Sequence, residues 1–339
     1  MSTASPSPAK PLVAVITPCY NGEKHVENAI KAVQAQTYRP LVHCIVDNAS
    51  KDATPEIIAR HANADVPIIT VRNPETITFQ QNSNKVASLI PAEATHFRML
   101  HADDTMPPDA IADMMDVALT DDTIVMVAGI EKMNGVTRAH HFPPECTVYE
   151  ASNMLARFLS DEAHIPTAHV LYRTDARREG EDFYPNDIVE CYIAAVCRTL
   201  SHGKRAAFVH KYIADTIRHK DSGSLVFTLA PKVKAVIWEK LLFIERYGPA
   251  ALSNTEYKRV LNRFLRVFYR RILFWAVSGS ADIAKRDLGR LASRGHKPNP
   301  LDFIASVAVW PYYLFLKRVK RPHAPPRWPA DATTAASSR

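Results

Sequence analysis

LVAVITPCYNG, at residues 12–22, is the stretch that decides the fold. Its first six residues are apolar or β-branched, and a strand that is apolar throughout is typical of a parallel sheet buried on both faces. Apolar side chains then recur at Val26, Ile30 and Val33, which is the spacing of an amphipathic helix. The stretch therefore predicts the first strand and helix of a parallel α/β sheet.

Similar apolar runs recur along the first part of the chain. They occupy residues 42–47, 67–71, 96–101 and 123–130, and segments of helical spacing lie between them. This alternation predicts a Rossmann-like, mostly parallel sheet flanked by helices, so the fold class is α/β. In such sheets ligands bind beyond the carboxyl ends of the strands, and we therefore look for chemistry in the residues just after each strand.

Composition and spacing divide the rest of the chain. After residue 130 the alternation is less regular, with a predicted strand at 167–173 and a predicted helix at 187–199. Beyond residue 225 the spacing is helical, and Lys and Arg are frequent. The predicted regions are a disordered start at 1–10, an α/β domain at 11–224 with halves at 11–130 and 131–224, a basic C-terminal helical extension at 225–321 and a disordered end at 322–339.

Net charge and cysteine usage narrow the class of protein. The 339-residue chain has a formal net charge of +7, which permits nucleic acid, anionic lipid or phosphorylated ligands as partners. No nucleic-acid-binding motif is recognisable, so we expect no nucleic-acid partner. The five cysteines include no Cys-x-x-Cys pair, and the N-terminus lacks the apolar core of a signal peptide, which favours a cytoplasmic location.

Polar and aromatic side chains follow the first two predicted strands. Thr17, Tyr20 and Asn21 come after the first strand, and Asp47 ends the second. A tyrosine ring can stack on a nucleobase, and the polar groups can hydrogen-bond to a base or ribose. The alternative is an ordinary turn followed by helix caps, although Asp47 precedes the cap position of the next helix.

The fourth predicted strand ends in HADDTMPP, at residues 101–108. The adjacent carboxylates of Asp103 and Asp104 would repel each other at the end of a buried strand, and a divalent cation would remove that repulsion. Mg²⁺ and Mn²⁺ take oxygen ligands, often only one or two protein carboxylates. The alternative is that one aspartate only caps the helix that begins near Pro107.

The order of TPCYNG, VDNAS and an Asp-Asp strand end followed by Pro resembles the family 2 glycosyltransferases, which have the A-type nucleotide-sugar transferase fold. The resemblance spans residues 12–225. It implies an inverting enzyme that moves a sugar from a nucleoside-diphosphate sugar to a hydroxyl acceptor, which would be a lipid-linked or cell-surface polysaccharide precursor. Residues 131–224 would form the acceptor half of the domain. Residues 11–130 would bind the nucleotide sugar, with Mg²⁺ or Mn²⁺ as cofactor.

The resemblance also implies roles for individual residues. Asp187, in FYPNDIVECYIAA, would be the general base, although Glu181 and Asp182 form a competing acidic pair and Asp187 could instead be a helix N-cap. The implied nucleotide-sugar contacts are Thr17, Pro18, Tyr20, Asn21, Asp47, Asn48, Asn82, Asn84, Lys85, Asp103 and Arg218. The implied metal ligands are Asp103, Asp104 and His219, with Asp104 as the main one.

This chain departs from the family pattern at three places. His101 stands where many members have an acidic residue, and Asn186 stands where Glu is more frequent. Arg218 and His219 are adjacent, whereas the family spaces them by one residue. The departure at His101 keeps a non-catalytic nucleotide-binding protein open as an alternative. A nucleotidyltransferase is a further alternative, but the Gly-rich basic phosphate loop typical of that class does not follow the first strand.

The helical extension combines apolar and basic residues. In residues 254–275 an apolar stripe alternates with Lys and Arg, which fits a helix packed on a core and also an interfacial helix on anionic lipid. In residues 301–320 aromatic residues precede a basic run, as in a membrane-interface anchor. We therefore expect a peripheral contact with the inner face of the cell membrane.

Overall fold

The computed structural model describes residues 10–177, 180–217, 235–309 and 311. The chain divides into two compact units, Met1–Tyr257 and Lys258–Arg339. The predicted disordered ends and the predicted boundary at residue 225 lie outside the described residues.

The first unit is built on a nine-stranded sheet. Its strands are β1 (Leu12–Cys19), β2 (Leu41–Asp47), β3 (Ile68–Arg72), β4 (Ala94–Met99), β5 (Ile124–Met133), β6 (Val136–Thr137), β7 (Val148–Glu150), β8 (Leu171–Arg173) and β9 (Arg205–Thr216). Its helices are α1 (Val26–Gln34), α2 (Thr54–Arg60), α3 (Phe79–Ala87), α4 (Ala110–Ala118), α5 (Ala151–Leu159), α6 (Cys191–His202) and α7 (Ala235–Ala251).

The strand order places several strand ends at one edge. The order is β3-β2-β1-β4-β8-β5-β9-β7, with β6 paired to β5. Strands β1 to β4 are parallel, and β8 is antiparallel to both β4 and β5, so β5 runs in the direction of β4. Strand β9 is parallel to β5. The carboxyl ends of β1, β2, β4, β5 and β9 therefore share an edge with the amino end of β8.

The predicted mostly parallel sheet is confirmed, and the apolar strands explain it. Every residue of β2 is buried, and β1 is buried from Val13 to Cys19, because helices cover both faces. The apolar side of α1 packs into this core through Val26, Ala29, Ile30 and Val33.

The predicted helix start at residue 187 is wrong. Helix α6 begins at Cys191, and Glu239 of α7 explains the difference. Its two carboxylate oxygens accept hydrogen bonds from the backbone nitrogens of Val189 and Glu190, each at 2.7 Å. A carboxylate at this position satisfies N–H groups that precede the helix, so it serves as a cap from a distant part of the chain.

Helix α8 (Asn254–Val277) begins in the first unit, and from Lys258 it belongs to the second. The second unit also contains α9 (Ala281–Ser293) and α10 (Pro300–Ala308). The apolar stripe of α8 is buried, including Phe264, Phe268 and Trp275, as expected of a helix packed on a core. Tyr269 of α8 contacts Phe303 of α10, with ring centroids 5.3 Å apart. Among the described residues, no helix has the length and apolar content that crossing a membrane would require.

Candidate active site at the carboxyl edge of the sheet

The residues that end β1 differ in their access to a ligand. Thr17 is fully buried, and its hydroxyl lies 2.9 Å from Nε2 of His43 inside the sheet. Burial lowers the pKa of His43 to about 3, so this histidine is neutral. Pro18 is also buried, whereas Tyr20 is 49% exposed. Tyr20 is therefore well placed to receive a planar ligand, and Thr17 supports the strand.

The loops after β1 and β2 are bound to each other. The backbone nitrogen of Asn21 donates to Oγ of Ser50 at 2.9 Å, and Oδ1 of Asn21 accepts from the backbone nitrogen of Lys51 at 2.9 Å. Asn21 has a φ of 48°, a left-handed conformation that asparagine tolerates. A Cβ at Gly22 would lie 2.6 Å from Sγ of Cys19, so glycine is required there. Asn21 thus holds the loop in shape.

Asp47 lies buried at the end of β2 beside an arginine. Oδ1 of Asp47 accepts from the backbone nitrogen of Ser50 at 3.2 Å, and Oδ2 lies 3.3 Å from Nε of Arg72. Arg72 also donates to the carbonyl oxygen of Ser50 at 2.8 Å. Oδ2 of Asp47 has no hydrogen bond in the described part of the chain, despite the nearby charge. The carboxylate is therefore held between a backbone nitrogen and a guanidinium, with one buried oxygen that accepts no hydrogen bond among the described residues.

Three buried asparagines join the ends of β2 and β3 to α3. Nδ2 of Asn73 donates to Oδ1 of Asn48 at 2.9 Å and to Oδ1 of Asn82 at 3.0 Å. Asn48 also exchanges hydrogen bonds with the backbone of Ile77, at 2.9 and 3.0 Å. Asn48 and Asn82 therefore shape the loop between β3 and α3. Sequence reasoning did not single out Asn73, the link between them.

Helix α3 holds the segment that precedes α6. The amide of Asn84 donates to the carbonyl oxygen of Tyr184 at 2.7 Å and accepts from its backbone nitrogen at 2.9 Å. Gln80 donates to the carbonyl oxygen of Ile188 at 3.0 Å. Lys85 is exposed on the same helix. The predicted nucleotide contact Asn84 therefore positions the neighbourhood of Asp187.

Asp187 is exposed, four residues before α6 begins. The cap position of α6 is occupied by Glu190, so Asp187 is not the helix N-cap. The competing acidic residues have other partners: Glu181 lies 3.5 Å from Arg198, and Asp182 accepts a hydrogen bond from Asn186. Asp187 is thus an accessible carboxylate on a segment held at both ends.

His101, Asp103 and Asp104 bring their ligand atoms within 4.8 Å of one another. Asp104 is 2% exposed, and both its oxygens are engaged. Oδ2 lies 3.3 Å from Nδ1 of His101 and 3.3 Å from Nε2 of His169, while Oδ1 accepts from the backbone nitrogen of Ile217 at 2.9 Å. Asp103 is partly exposed.

The histidines and aspartates of this cluster stabilise each other's charged forms. Burial opposes a charge on His101, but its hydrogen bond to Asp104 and the charges of Asp104 and Asp103 outweigh burial and raise the pKa of His101. Burial would raise the pKa of Asp104, but the hydrogen bonds from His101 and His169 hold that pKa well below its usual range. Asp104 is therefore ionised at neutral pH.

The cluster fits a divalent cation. It offers two carboxylates and an imidazole, and Nε2 of His101 is buried with no hydrogen-bond partner in the ranges that the structure describes. Carboxylate oxygens suit Mg²⁺ and Mn²⁺, and imidazole suits transition metals. Because both oxygens of Asp104 already accept hydrogen bonds, Asp103 presents the more accessible carboxylate, and His101 offers the buried Nε2 that has no hydrogen bond among the described residues.

Aromatic rings join this cluster to α6. The ring of Tyr192 lies 5.0 Å from that of His101 and 5.3 Å from that of Phe79, and its hydroxyl lies 3.0 Å from Oγ of Ser83. Phe79 is exposed. The start of α6, and with it the segment of Asp187, is therefore packed beside the predicted metal site.

A second polar chain continues from Asp104 towards the other half of the edge. Nε2 of His169 lies 3.0 Å from the hydroxyl of Thr216, which lies 3.5 Å from Glu131. Glu131 is buried, and its other oxygen lies 2.8 Å from Nε2 of His164 and 3.7 Å from Nε of Arg138. Sequence reasoning missed these residues, because they come from separate segments with no shared motif.

The predicted phosphate and metal residues Arg218 and His219 lie outside the described residues. Ile217, which precedes them, is anchored to Asp104 as described above. Thr105 and Asp215 also exchange two backbone hydrogen bonds, at 3.1 and 2.9 Å. The end of β9 is therefore fixed to the loop that carries the predicted metal ligands.

Comparison with known proteins identifies the family. Residues 14–179 match the sequence model of the family described as glycosyl transferase family 2. Residues 14–179 form a glycosyl transferase family 2 domain. The resemblance carried by TPCYNG, VDNAS and the Asp-Asp strand end is thus confirmed. The candidate residues from Thr17 to Asp104 lie within the matched domain, whereas Asp187 lies beyond it.

One relative of this domain is TuaG of Bacillus subtilis strain 168, a protein assigned to teichuronic acid biosynthesis as a glycosyltransferase. The two are 30% identical over 107 residues, which is 32% of this chain and 42% of TuaG. The match therefore spans less than half of TuaG.

Two solved structures share the fold. Residues 1–349 of TarS from S. aureus, in complex with UDP-GlcNAc, have a TM-score of 0.60 at 15% identity, over 76% of this chain and 72% of that chain. The mannosyltransferase PcManGT from Pyrobaculum calidifontis, in complex with GDP-Man and Mn²⁺, has a TM-score of 0.53 at 17% identity, over 92% and 85%. The predicted A-type glycosyltransferase fold is confirmed.

Proposed function

We propose that this protein is a metal-dependent, inverting glycosyltransferase that moves a sugar from a nucleoside-diphosphate sugar to a hydroxyl acceptor. The observation that supports the proposal is that two kinds of group follow strands at one edge of the sheet, and that Gln80 and Tyr192 connect the segment of a third to that edge. These are Tyr20 and Asp47 for a nucleoside, His101 and Asp103 for a cation, and the exposed carboxylate of Asp187. Ligands of open α/β sheets bind at this edge.

The nucleoside would lie against the ends of β1 and β2. The exposed ring of Tyr20 offers a stacking surface for the base. Oδ2 of Asp47, which has no hydrogen bond among the described residues, can accept one from the base or the ribose. The loop hydrogen bonds of Asn21 and the amides of Asn48 and Asn82 keep these two groups in place.

Asp103 and His101 would hold the cation, with Asp104 behind them as a fixed anion. A bound divalent cation would act as a Lewis acid on the departing diphosphate and neutralise its charge. By the family resemblance, Arg218 would contact the same diphosphate and His219 would add a ligand or a hydrogen bond.

Asp187 would act as general base. Its exposed carboxylate can take the proton of the acceptor hydroxyl as the oxygen attacks the anomeric carbon, which develops oxocarbenium character as in glycoside hydrolysis. One base and no separate nucleophile correspond to direct displacement, so the anomeric configuration inverts.

The relatives suggest the class of donor and acceptor. TarS was solved with UDP-GlcNAc and PcManGT with GDP-Man and Mn²⁺, and TuaG is assigned to teichuronic acid biosynthesis. We therefore propose a UDP- or GDP-sugar as donor and a lipid-linked or cell-surface glycan precursor as acceptor.

A donor panel tests the function. The protein is incubated with UDP-, GDP- and dTDP-sugars in Mn²⁺ or in EDTA, and release of nucleoside diphosphate is measured. We expect one donor class to turn over in Mn²⁺ and not in EDTA, and D103N to lose that turnover. D282N, which changes an exposed aspartate of α9, is the matched control. Formation of a nucleoside triphosphate and a sugar 1-phosphate on addition of inorganic pyrophosphate would instead indicate a nucleotidyltransferase, and no turnover with any donor would contradict catalysis.

We also propose that the second unit contacts an anionic membrane surface through α10. Leu301 and Ile304 are 71% and 64% exposed, and Val307 follows at the same helical spacing. Exposed Arg294 and Lys297 lie just before the helix and would complement anionic lipid. The basic aromatic part of residues 301–320 lies largely outside the described residues.

Vesicle sedimentation tests this contact. The full chain should bind vesicles of phosphatidylglycerol more than vesicles of phosphatidylcholine, and I304E should release it. L119E alters an exposed leucine of the first unit and should leave binding unchanged. Equal binding by all three proteins would contradict the proposal.

A further inference from the structure

His169 lies buried where two parts of the site meet. It precedes β8, whose reversed direction places its amino end beside the carboxyl ends of β4 and β5. The side chain is 1% exposed. Its Nε2 lies 3.3 Å from Oδ2 of Asp104 and 3.0 Å from the hydroxyl of Thr216.

The surroundings of the ring determine which nitrogen carries the proton. Nδ1 of His169 is buried and has no hydrogen-bond partner within the part of the chain that the structure describes. A proton on Nδ1 would be a buried donor without an acceptor, and it would leave the lone pair of Nε2 facing the Asp104 carboxylate. A proton on Nε2 instead gives a hydrogen bond to Asp104. We therefore place the proton on Nε2, as a donor to Asp104.

The fixed carboxylate of Asp104 also holds the backbone just after β9. Its Oδ2 is held by His169 and His101, and that fixes the direction of Oδ1, which accepts from the backbone nitrogen of Ile217 at 2.9 Å. Ile217 directly precedes Arg218 and His219 in the sequence. The same carboxylate also lies one residue from Asp103. One buried anion thus aligns the predicted metal loop with the start of the predicted phosphate segment.

We propose that His169 is a positioning residue: its Nε2–H holds Asp104 so that the loop of Asp103 and the backbone at Ile217 keep a fixed register. The effect of this hydrogen bond on catalysis rests on the proposed function, whereas the anchoring of Ile217 does not. Residues behind metal ligands commonly change metal affinity or activity 10- to 100-fold when they are replaced.

Two amide replacements separate the hydrogen bond from the shape of the ring. The amide nitrogen of Gln reaches the position of Nε2, whereas that of Asn reaches the position of Nδ1. In H169N we expect kcat/KM for the donor to fall about 10- to 100-fold, with a higher Mn²⁺ concentration for half-maximal rate. In H169Q we expect both quantities to stay within about threefold of the wild type.

A second readout needs neither metal nor turnover. Hydrogen exchange of the Ile217 amide is measured in the metal-free full chain, and it should be faster in H169N than in the wild type and unchanged in H169Q. T216V removes the other partner of Nε2 and should leave Ile217 protected. If H169N does not fold, H169M, which fills the space without a donor, replaces it.

The outcomes are distinguishable. Equal exchange of Ile217 in the wild type and H169N, or an equal loss in H169N and H169Q, would overturn the proposal. A wild type that turns over no donor would defeat the proposed function alone, because the exchange experiment still reports on the anchor.

Discussion

The proposed donor side of the edge (residues 17–85) and its proposed acceptor side (residues 131–217), called the donor side and the acceptor side below, are built differently. On the donor side, short loops after consecutive strands bond to one another, as between Asn21 and Ser50. On the acceptor side, His169, Thr216 and Glu131 meet from three separate segments. The difference shows that local motifs can specify the proposed nucleotide pocket, whereas the proposed acceptor side depends on the whole sheet being formed.

The largest expected effect is on the acceptor side, at Asp187. D187N should lower kcat for sugar transfer about 10²- to 10⁴-fold, because the acceptor hydroxyl loses its base. The KM of the donor should change little. The assay compares initial rates of transfer with a suitable acceptor across donor concentrations. A similar loss of donor binding would mean that Asp187 belongs to the donor side.

The boundary between the two sides lies at Asp103 and Asp104. Replacing each of them by asparagine should have different effects on stability and on the rate. D104N should lower the free energy of unfolding by about 1.5–3 kcal/mol, because Asp104 accepts hydrogen bonds from two histidines and a backbone amide. D103N should leave stability close to that of the wild type and lower the Mn²⁺-dependent rate. Denaturant titration of both variants measures the free energy of unfolding. Equal stability of D104N and D103N would contradict the structural role given to Asp104.

Glu131 tests whether the acceptor side is held by charge. E131Q should lose about 1–3 kcal/mol at pH 7, because the amide replaces a buried carboxylate beside His164 and Arg138. Burial would raise the pKa of Glu131, but these partners together lower it. The carboxylate therefore stabilises the fold above its unfolded pKa of about 4.3, and the difference between wild type and E131Q should shrink as pH falls below that value.

The smallest expected effect is at the exposed end of the donor side. Y20A should raise the KM of the donor about tenfold, in line with the energy of one base stacked on an aromatic ring, while Y20F should retain the wild-type value. The free energy of unfolding should not change, because the side chain is half exposed. An unchanged KM in Y20A would place the base elsewhere.

Much of the donor side was predictable because its signals are contiguous. Apolar runs predicted β1, β2, β4 and β5, since strands buried on both faces leave little room for polar residues. The family was predictable for the same reason, because its motifs follow successive strands. The position of the Asp-Asp pair at a strand end was confirmed by the end of β4 at Met99.

Other features depend on partners that the sequence does not identify. The sequence does not show that both polar atoms of the Asn84 amide bond to the backbone of Tyr184. The start of α6 was misplaced because Glu239, far along the chain, satisfies the backbone before Cys191. His169 and Glu131 carry no local pattern, so only the assembled sheet reveals their connection.

The reversed direction of β8 has a consequence for chimeric enzymes. This strand starts at the site and runs away from it, so the residues that reach the site come before β8 in the sequence. For the neighbouring strands β4 and β5, the residues that reach the site come after the strand. An exchange of acceptor specificity between relatives would therefore have to cut within or after Leu171–Arg173, so that the imported loop brings its own counterpart of His169.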